Sequence, residues 1–198
     1  MGRSAFAVAG TLLVLTTGVS VVLAHRLDQL SAAYREVRVL ATTLHKGSVV
    51  PAFATESMTG DPIVVGETTD SSRKQVLFVF TTTCPYCKAS LPAWRRVAEA
   101  LGTSGGASIV GISLDSADAT SAYVAEHGLR FDIVQFPSRR IKRLYRAGMV
   151  PQTVVLDFDG HVVHSRVGLL QIGPATDSIL AAVRGPPPPP AEALFPVQ

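Results

Sequence analysis

The sequence has little cysteine: two residues in 198, Cys84 and Cys87, three positions apart. A secreted scaffold stapled by disulfides needs several bridges spread along the chain, so that class is excluded. Structural zinc needs about four ligands. Neither a second Cys-x-x-Cys nor a histidine pair at ligand spacing accompanies the two thiols, and no metal is assigned. Charge is sparse as well, at 17% of residues, and the net excess is only +3. The basic residues are dispersed except at Arg139, Arg140, Lys142, Arg143 and Arg146. Without a zinc-finger or aromatic-basic signature, nucleic acid is not an expected partner. The basic run reads as the solvated face of a helix whose Ile141, Leu144 and Tyr145 turn inward, in preference to a site for acidic partners or anionic headgroups. What the chain does have is 47% hydrophobic residues, enough for the core of one ordinary domain.

The longest apolar run is Ser4 to Ala24, without a charge. As a helix rising ~1.5 Å per residue it spans roughly the ~30 Å hydrocarbon core of a bilayer. Residues 1–25 are therefore predicted to be a single transmembrane anchor or signal-anchor. The rival is a cleaved signal peptide, since Val22 and Ala24 place small residues ahead of a cut before His25. The run exceeds the usual ~7–15 residue signal core, which favours the anchor. Arg3 precedes it while Arg26, Arg35 and Arg38 come after, so the positive-inside rule does not choose a topology. Either reading exports the remainder of the chain, and the expected location is the cell membrane, with the domain on the extracytoplasmic, periplasmic side. Over 26–46, Leu27, Leu30, Tyr34, Val37, Ala41 and Leu44 recur at intervals of three and four, predicting a juxtamembrane helix. Homodimerisation through 27–44 and packing on the domain or on headgroups are both open.

From Gly47 to Arg184 short apolar runs alternate with helical periodicity, the pattern of an α/β domain. Gln75–Thr81 and Ala107–Leu114 read as buried strands, separated by a helix over Pro85–Leu101. Next come a helix over Ser116–His127, a strand at Asp132–Gln135 and a helix over Ser138–Arg146. Two strands flank the Asp157-Phe158-Asp159-Gly160 turn, and a helix over Pro174–Val183 closes the domain. The expected architecture is a mixed central sheet with helices on both faces. The tail 185–198 opens with five prolines after Gly185 and suits an extended linker or a ligand for another domain.

The chemistry concentrates at Cys84-Pro85-Tyr86-Cys87. Cys84 stands between a strand and a helix, and Pro85 occupies the first helical position, where a missing N–H is harmless. Unpaired N–H groups and the positive end of the helix dipole favour a thiolate there, so Cys84 is expected to be the attacking sulfur. Cys87, Leu91, Trp94, Ala98 and Leu101 form a helical stripe facing the sheet, so Cys87 is expected to be the buried, resolving thiol. Residues three apart on a helix can close a disulfide with modest adjustment, and that disulfide would be the redox group, with no other cofactor. Pro92 is expected to kink the helix rather than to be a tolerated surface proline.

Cys-Pro-x-Cys-Lys after a strand, a proline five residues past the second cysteine, and Val150-Pro151-Gln152-Thr153 before a strand, hairpin and helix resemble the thioredoxin superfamily. Gly47-x-x-x-Pro51-x-Phe53 and Asp157-x-Asp159-Gly160 are similar to its membrane-anchored redoxin branch, which includes cytochrome-maturation reductases and the disulfide proteins of methylamine utilisation. The resemblance covers about 46–184. It implies a thioredoxin-like sheet, thiol-disulfide exchange with protein disulfides or dithiols, and recharging by a membrane thiol-disulfide donor. It also implies that Pro151 is a cis-proline facing the disulfide, that the Val150 backbone pairs with the substrate chain, and that Pro85 and Tyr86 border the substrate. The Pro-Tyr dipeptide resembles glutaredoxins. Many cytochrome-maturation members carry a glutamate where this chain has Ser90 and a tryptophan where it has Thr83.

Two alternatives carry their own residues. Thr81-Thr82-Thr83-Cys84 supplies the Thr-x-x-Cys of peroxiredoxin-like peroxidases, although Leu77 stands where their proline is expected and no arginine can be assigned to the thiolate. A redoxin-fold copper chaperone would add a histidine to the two thiols. His161 and His164 lie on a predicted strand and point to opposite faces, while His25, His45 and His127 read as solvated surface residues.

Overall fold

The computed structural model describes residues 16–31, 43–70, 73–102 and 106–185. The chain divides into two compact units, 1–41 and 42–198. In the first, a helix (α1, 16–31) runs without a break across the boundary expected at residue 25. Val19, Val22, Leu23, Leu27 and Leu30 are exposed on it. No helix among the described residues is long and apolar enough to cross a membrane. Residues 4–15 of the expected span, 32–42 of the expected seam and the tail from 186 lie outside the described residues.

In the second unit the centre is the strand that the continuous apolar text predicted. Its seven residues (β3, Lys74–Phe80) are buried on both faces. Such a strand needs neighbours on either edge and cover above and below. β4 (Ala107–Ser113) lies parallel to it on one side and β6 (Gln152–Leu156) antiparallel on the other. With β5 (Asp132–Gln135) beyond β4 and β7 (Val162–Val167) beyond β6, the order is β5-β4-β3-β6-β7. Alternate residues of these strands feed two separate cores. Val76, Phe78 and Phe80 pack with α2 (Pro85–Gly102), α3 (Ala117–His127) and α5 (Pro174–Arg184). Leu77 and Val79 face the other way, toward Val65, Phe53 and Tyr145.

That second face carries less helix than the first. The helix there, α4, is only Arg139–Leu144, and a two-stranded hairpin completes the cover: β1 (Phe53–Glu56) pairs antiparallel with β2 (Pro62–Val65), Phe53 opposite Val65. Phe53, Phe136 and Tyr145 stack around one another with centroids 5.4–5.7 Å apart, and the Tyr145 hydroxyl donates to the Pro51 carbonyl at 2.9 Å. α4 stops two residues before the expected Arg146, because Arg146 adopts a left-handed conformation (φ 46°) that turns the chain. Ile141 and Tyr145 do turn inward, but Leu144, a third of a turn away, faces solvent at 46% exposure.

The ends of the elements are closed by side chains. Ser116 caps α3 by accepting from Ala119 N, and Ser138 caps α4 by accepting from Ile141 N. Lys74, at the amino end of β3, is buried, and its ammonium donates to the carbonyls of Ala182 and Gly185 at the carboxyl end of α5. Burial pushes its pKa below the usual lysine value, opposed by the nearby Asp157. Gly160 (φ 83°) sits so close to the Val50 and Gly66 carbonyls that a Cβ would lie 2.6 and 2.7 Å from them.

Candidate active site

The two cysteines stand where β3 hands over to α2. Cys84 takes the cap position, its carbonyl accepting from Lys88 N at 3.1 Å, and Pro85 opens the helix. Cys84 is half-buried and Cys87 has no exposed surface. The two thiols lie within hydrogen-bonding reach of each other. Burial pushes the Cys87 thiol up to about 12; a hydrogen bond from the Thr81 backbone opposes this, while Cys84 and Asp115 add to it. Across from the pair, the Cys84 Sγ faces the Val150 carbonyl at 3.9 Å, and the Val150–Pro151 peptide is cis. Pro85 and Tyr86 are exposed beside Cys84, Tyr86 at 62%.

The helix seam below Cys87 is shifted from the expected stripe. Leu91, Trp94 and Leu101 are buried as anticipated, but Val97 is buried in place of the half-buried Ala98, and Ser90 and Ala93 join the covered face. Trp94 stacks on Phe78 (5.1 Å) and donates from Nε1 to Thr153 Oγ1. α2 continues through Pro92 from Pro85 to Gly102, with the ring on the exposed side, and the missing N–H leaves the Lys88 carbonyl without its usual helical donor.

Three residues at the site carried no functional assignment from sequence. Ser90 is fully buried; its Oγ donates to the Tyr86 carbonyl at 2.7 Å and accepts from Leu170 N at 3.0 Å. It ties the first turn of α2 to the loop before α5. Ser90→Ala would strand a buried N–H, and a loss of about 1–3 kcal/mol in urea unfolding is expected; an unchanged midpoint would contradict the bridge. Asp115, just past β4, accepts from both the backbone N and the Oγ1 of Thr82. It thereby holds the turn leading to Cys84. A carboxylate at the carboxyl end of a parallel strand is the signal that could have found it. Tyr123 stacks on Phe80, and its buried hydroxyl has no hydrogen-bond partner. Burial pushes its pKa up to about 12, with further contributions from Cys87 and Cys84.

Thr81 offers its backbone to Cys87. His161 hydrogen-bonds Asp159 at 2.7 Å in the β6–β7 turn, at the end of the sheet opposite Cys84, and His164 pairs with Val155, next to that same end of β6. His127 is not a freely solvated residue: it packs edge-on against Tyr123 with centroids 4.3 Å apart. Asp157, Asp159 and His161 cluster closely enough to hold an ion, but they are satisfied by one another and by the turn backbone.

Comparison with known proteins agrees with this geometry. MauD, the methylamine utilization protein of Methylophilus methylotrophus, is 26% identical over 138 residues, 70% of this chain. The matched stretch spans only 62% of that relative's length. Among solved structures, StoA from Bacillus subtilis superposes with a TM-score of 0.57 at 19% identity, covering 68% of this chain and 98% of that one. A putative thiol:disulfide interchange protein DsbE from Chlorobium tepidum gives 0.59 at 24% identity, covering 71% and 99%. These likenesses establish a thioredoxin-like fold. The family model described as AhpC/TSA matches residues 47–165, from the approach to β1 through most of β7. On that match, which takes in more than half of its length, the chain belongs to the AhpC/TSA family within the thioredoxin superfamily.

Proposed function

We propose that the protein is a thiol-disulfide oxidoreductase that exchanges disulfides with protein substrates outside the cytoplasm. The observation that carries this reading is the inequality of the two thiols: Cys84 reachable at the amino end of α2 and facing Val150, Cys87 sealed beneath it. In the reducing direction, the Cys84 thiolate attacks one sulfur of a substrate disulfide. That S–S bond breaks, a mixed disulfide forms, and the leaving sulfur takes up a proton. Cys87, having lost its proton, then attacks Cys84 Sγ and expels the second substrate thiol. Two electrons and two protons have passed to the substrate, and Cys84 and Cys87 are joined. A dithiol donor of the membrane restores them by the same steps in reverse.

The exposed Pro85 and Tyr86 and the Val150 carbonyl border the space a substrate chain would occupy, as the resemblance implies for Val150 and Pro151. The uncharged run from Ser4 and the exposed apolar residues of α1 support attachment to the cell membrane and placement of the domain on its outer side. A Cys87→Ala protein, reacted with a protein disulfide, should stop at the mixed disulfide and run as a higher-mass band on non-reducing gels. No more adduct than Cys84→Ser produces would remove the reading.

A further inference from the structure

The basic run on α4 occupies a particular place. Arg139, Arg140, Lys142 and Arg143 fall within five residues, and none of them is in an ion pair among the described residues. Arg139 and Lys142 line one side of a cleft of about 210 Å³. Asp115 at the end of β4, Gln135 and Ser138 also line the space. Asp115 turns its Oδ2 to Thr82 N and Oγ1 and forms no ion pair with Arg139 or Lys142, so the two cations outnumber the one carboxylate lining the space. Gln135 Nε2 donates to the Asp115 backbone carbonyl. The Ser138 hydroxyl accepts from Ile141 N.

The cleft therefore lies between the two segments that frame the reactive thiol. Thr82, held by its wall residue Asp115, is two positions before Cys84. α4, its other wall, leads through residues 145–149 to Val150, whose carbonyl faces Cys84 Sγ. Ser113 and Gln135 in its lining are level with Phe80, so the cleft opens at the same carboxyl end of the sheet as Cys84. A lipid surface would instead engage cations standing on a flat outward face; Arg139 and Lys142 line a concavity sized for side chains.

We propose that this cleft docks an acidic segment of the protein whose disulfide reacts at Cys84, with Arg139 and Lys142 pairing with its carboxylates. The proposal rests on the exchange function above and adds its substrate preference. It does not set the redox direction. Charge complementarity next to a reacting centre acts mainly on encounter and on rejection of wrong partners.

The test uses the full chain and two peptides, each with one internal disulfide and identical except for flanking Glu or Lys residues. A small neutral disulfide, hydroxyethyl disulfide, serves as the third substrate. At low salt the native protein should reduce the Glu peptide with a kcat/KM roughly tenfold above that for the Lys peptide. In R139E/K142E the order should invert. The ratio is read within each protein, so a general loss of activity cannot imitate inversion. Salt gives a second measurement that needs no variant: raising it to about 0.5 M should slow the Glu peptide and erase the difference. Equal rates for both peptides, with hydroxyethyl disulfide still reduced, would overturn the docking proposal alone. If no disulfide is reduced, the exchange reading falls and takes the proposal with it. Binding to anionic vesicles that R139E/K142E abolishes without altering the peptide ratio would overturn it in favour of a lipid surface.

Discussion

Cys84→Ser is expected to reduce turnover in a dithiol-driven insulin reduction assay at least about a thousandfold, to the uncatalysed background. A serine hydroxyl has no disulfide to form, so neither the mixed disulfide nor the internal one can arise. The fold gives no reason for a compensating loss of structure. Cys84 is half-buried at a helix cap and its backbone bond to Lys88 N is independent of the side chain. The variant should therefore melt close to the native reduced protein. Activity above a tenth of native in a protein that melts normally would rule out Cys84 as the attacking sulfur.

The second large effect is on pH. Burial raises the Cys87 thiol from its usual 9.0 to about 12. Burial is also the cause that persists after Cys84 has been capped by substrate. The thiolate fraction of such a group grows about tenfold for each pH unit below its pKa. Resolution of the mixed disulfide should accordingly accelerate about a hundredfold between pH 7 and pH 9, without levelling off. Trp94, the single tryptophan, lies in the same core cluster as Cys87 and can report the step by stopped-flow fluorescence. A plateau below pH 9 would show that a neighbouring base, such as the Asp115 carboxylate, takes the proton within the complex. The same shift bears on stability with a definite sign. Because the folded state holds this proton more tightly than the unfolded chain, its contribution is complete below pH 9 and is lost as pH rises toward 12.

Much of the sheet and its helices was legible because each element carries one sustained period. The apolar text of β3 and β4 and the i, i+4, i+7 pattern of α2 leave little choice of structure. The β1–β2 hairpin escaped because strands of four residues place only two side chains on each face, too few for alternation to stand out in Phe53–Glu56 or Pro62–Val65. Leu144 was misplaced because helical periodicity presumes a helix that continues, and Arg146 ends it. At the site, the Cys84–Cys87 pair and Val150–Pro151 were visible as local motifs. Ser90, Asp115 and Tyr123 were not, since their roles come from partners 80, 33 and dozens of residues away in the chain. His127 looked like any surface histidine until α3 packed its ring on Tyr123.

Lys74 fixes where the last helix ends, by holding the Ala182 and Gly185 carbonyls at the amino end of β3. Cys84 lies past the other end of the same strand. Seven residues of strand at ~3.3 Å each put roughly 20 Å between the two poles. Gly185 thus lies at the pole remote from the thiols. A fluorophore, affinity handle or solid support joined close to Gly185 would leave the reacting surface turned outward, so the domain can be immobilised at that pole with the sulfur chemistry still facing solution.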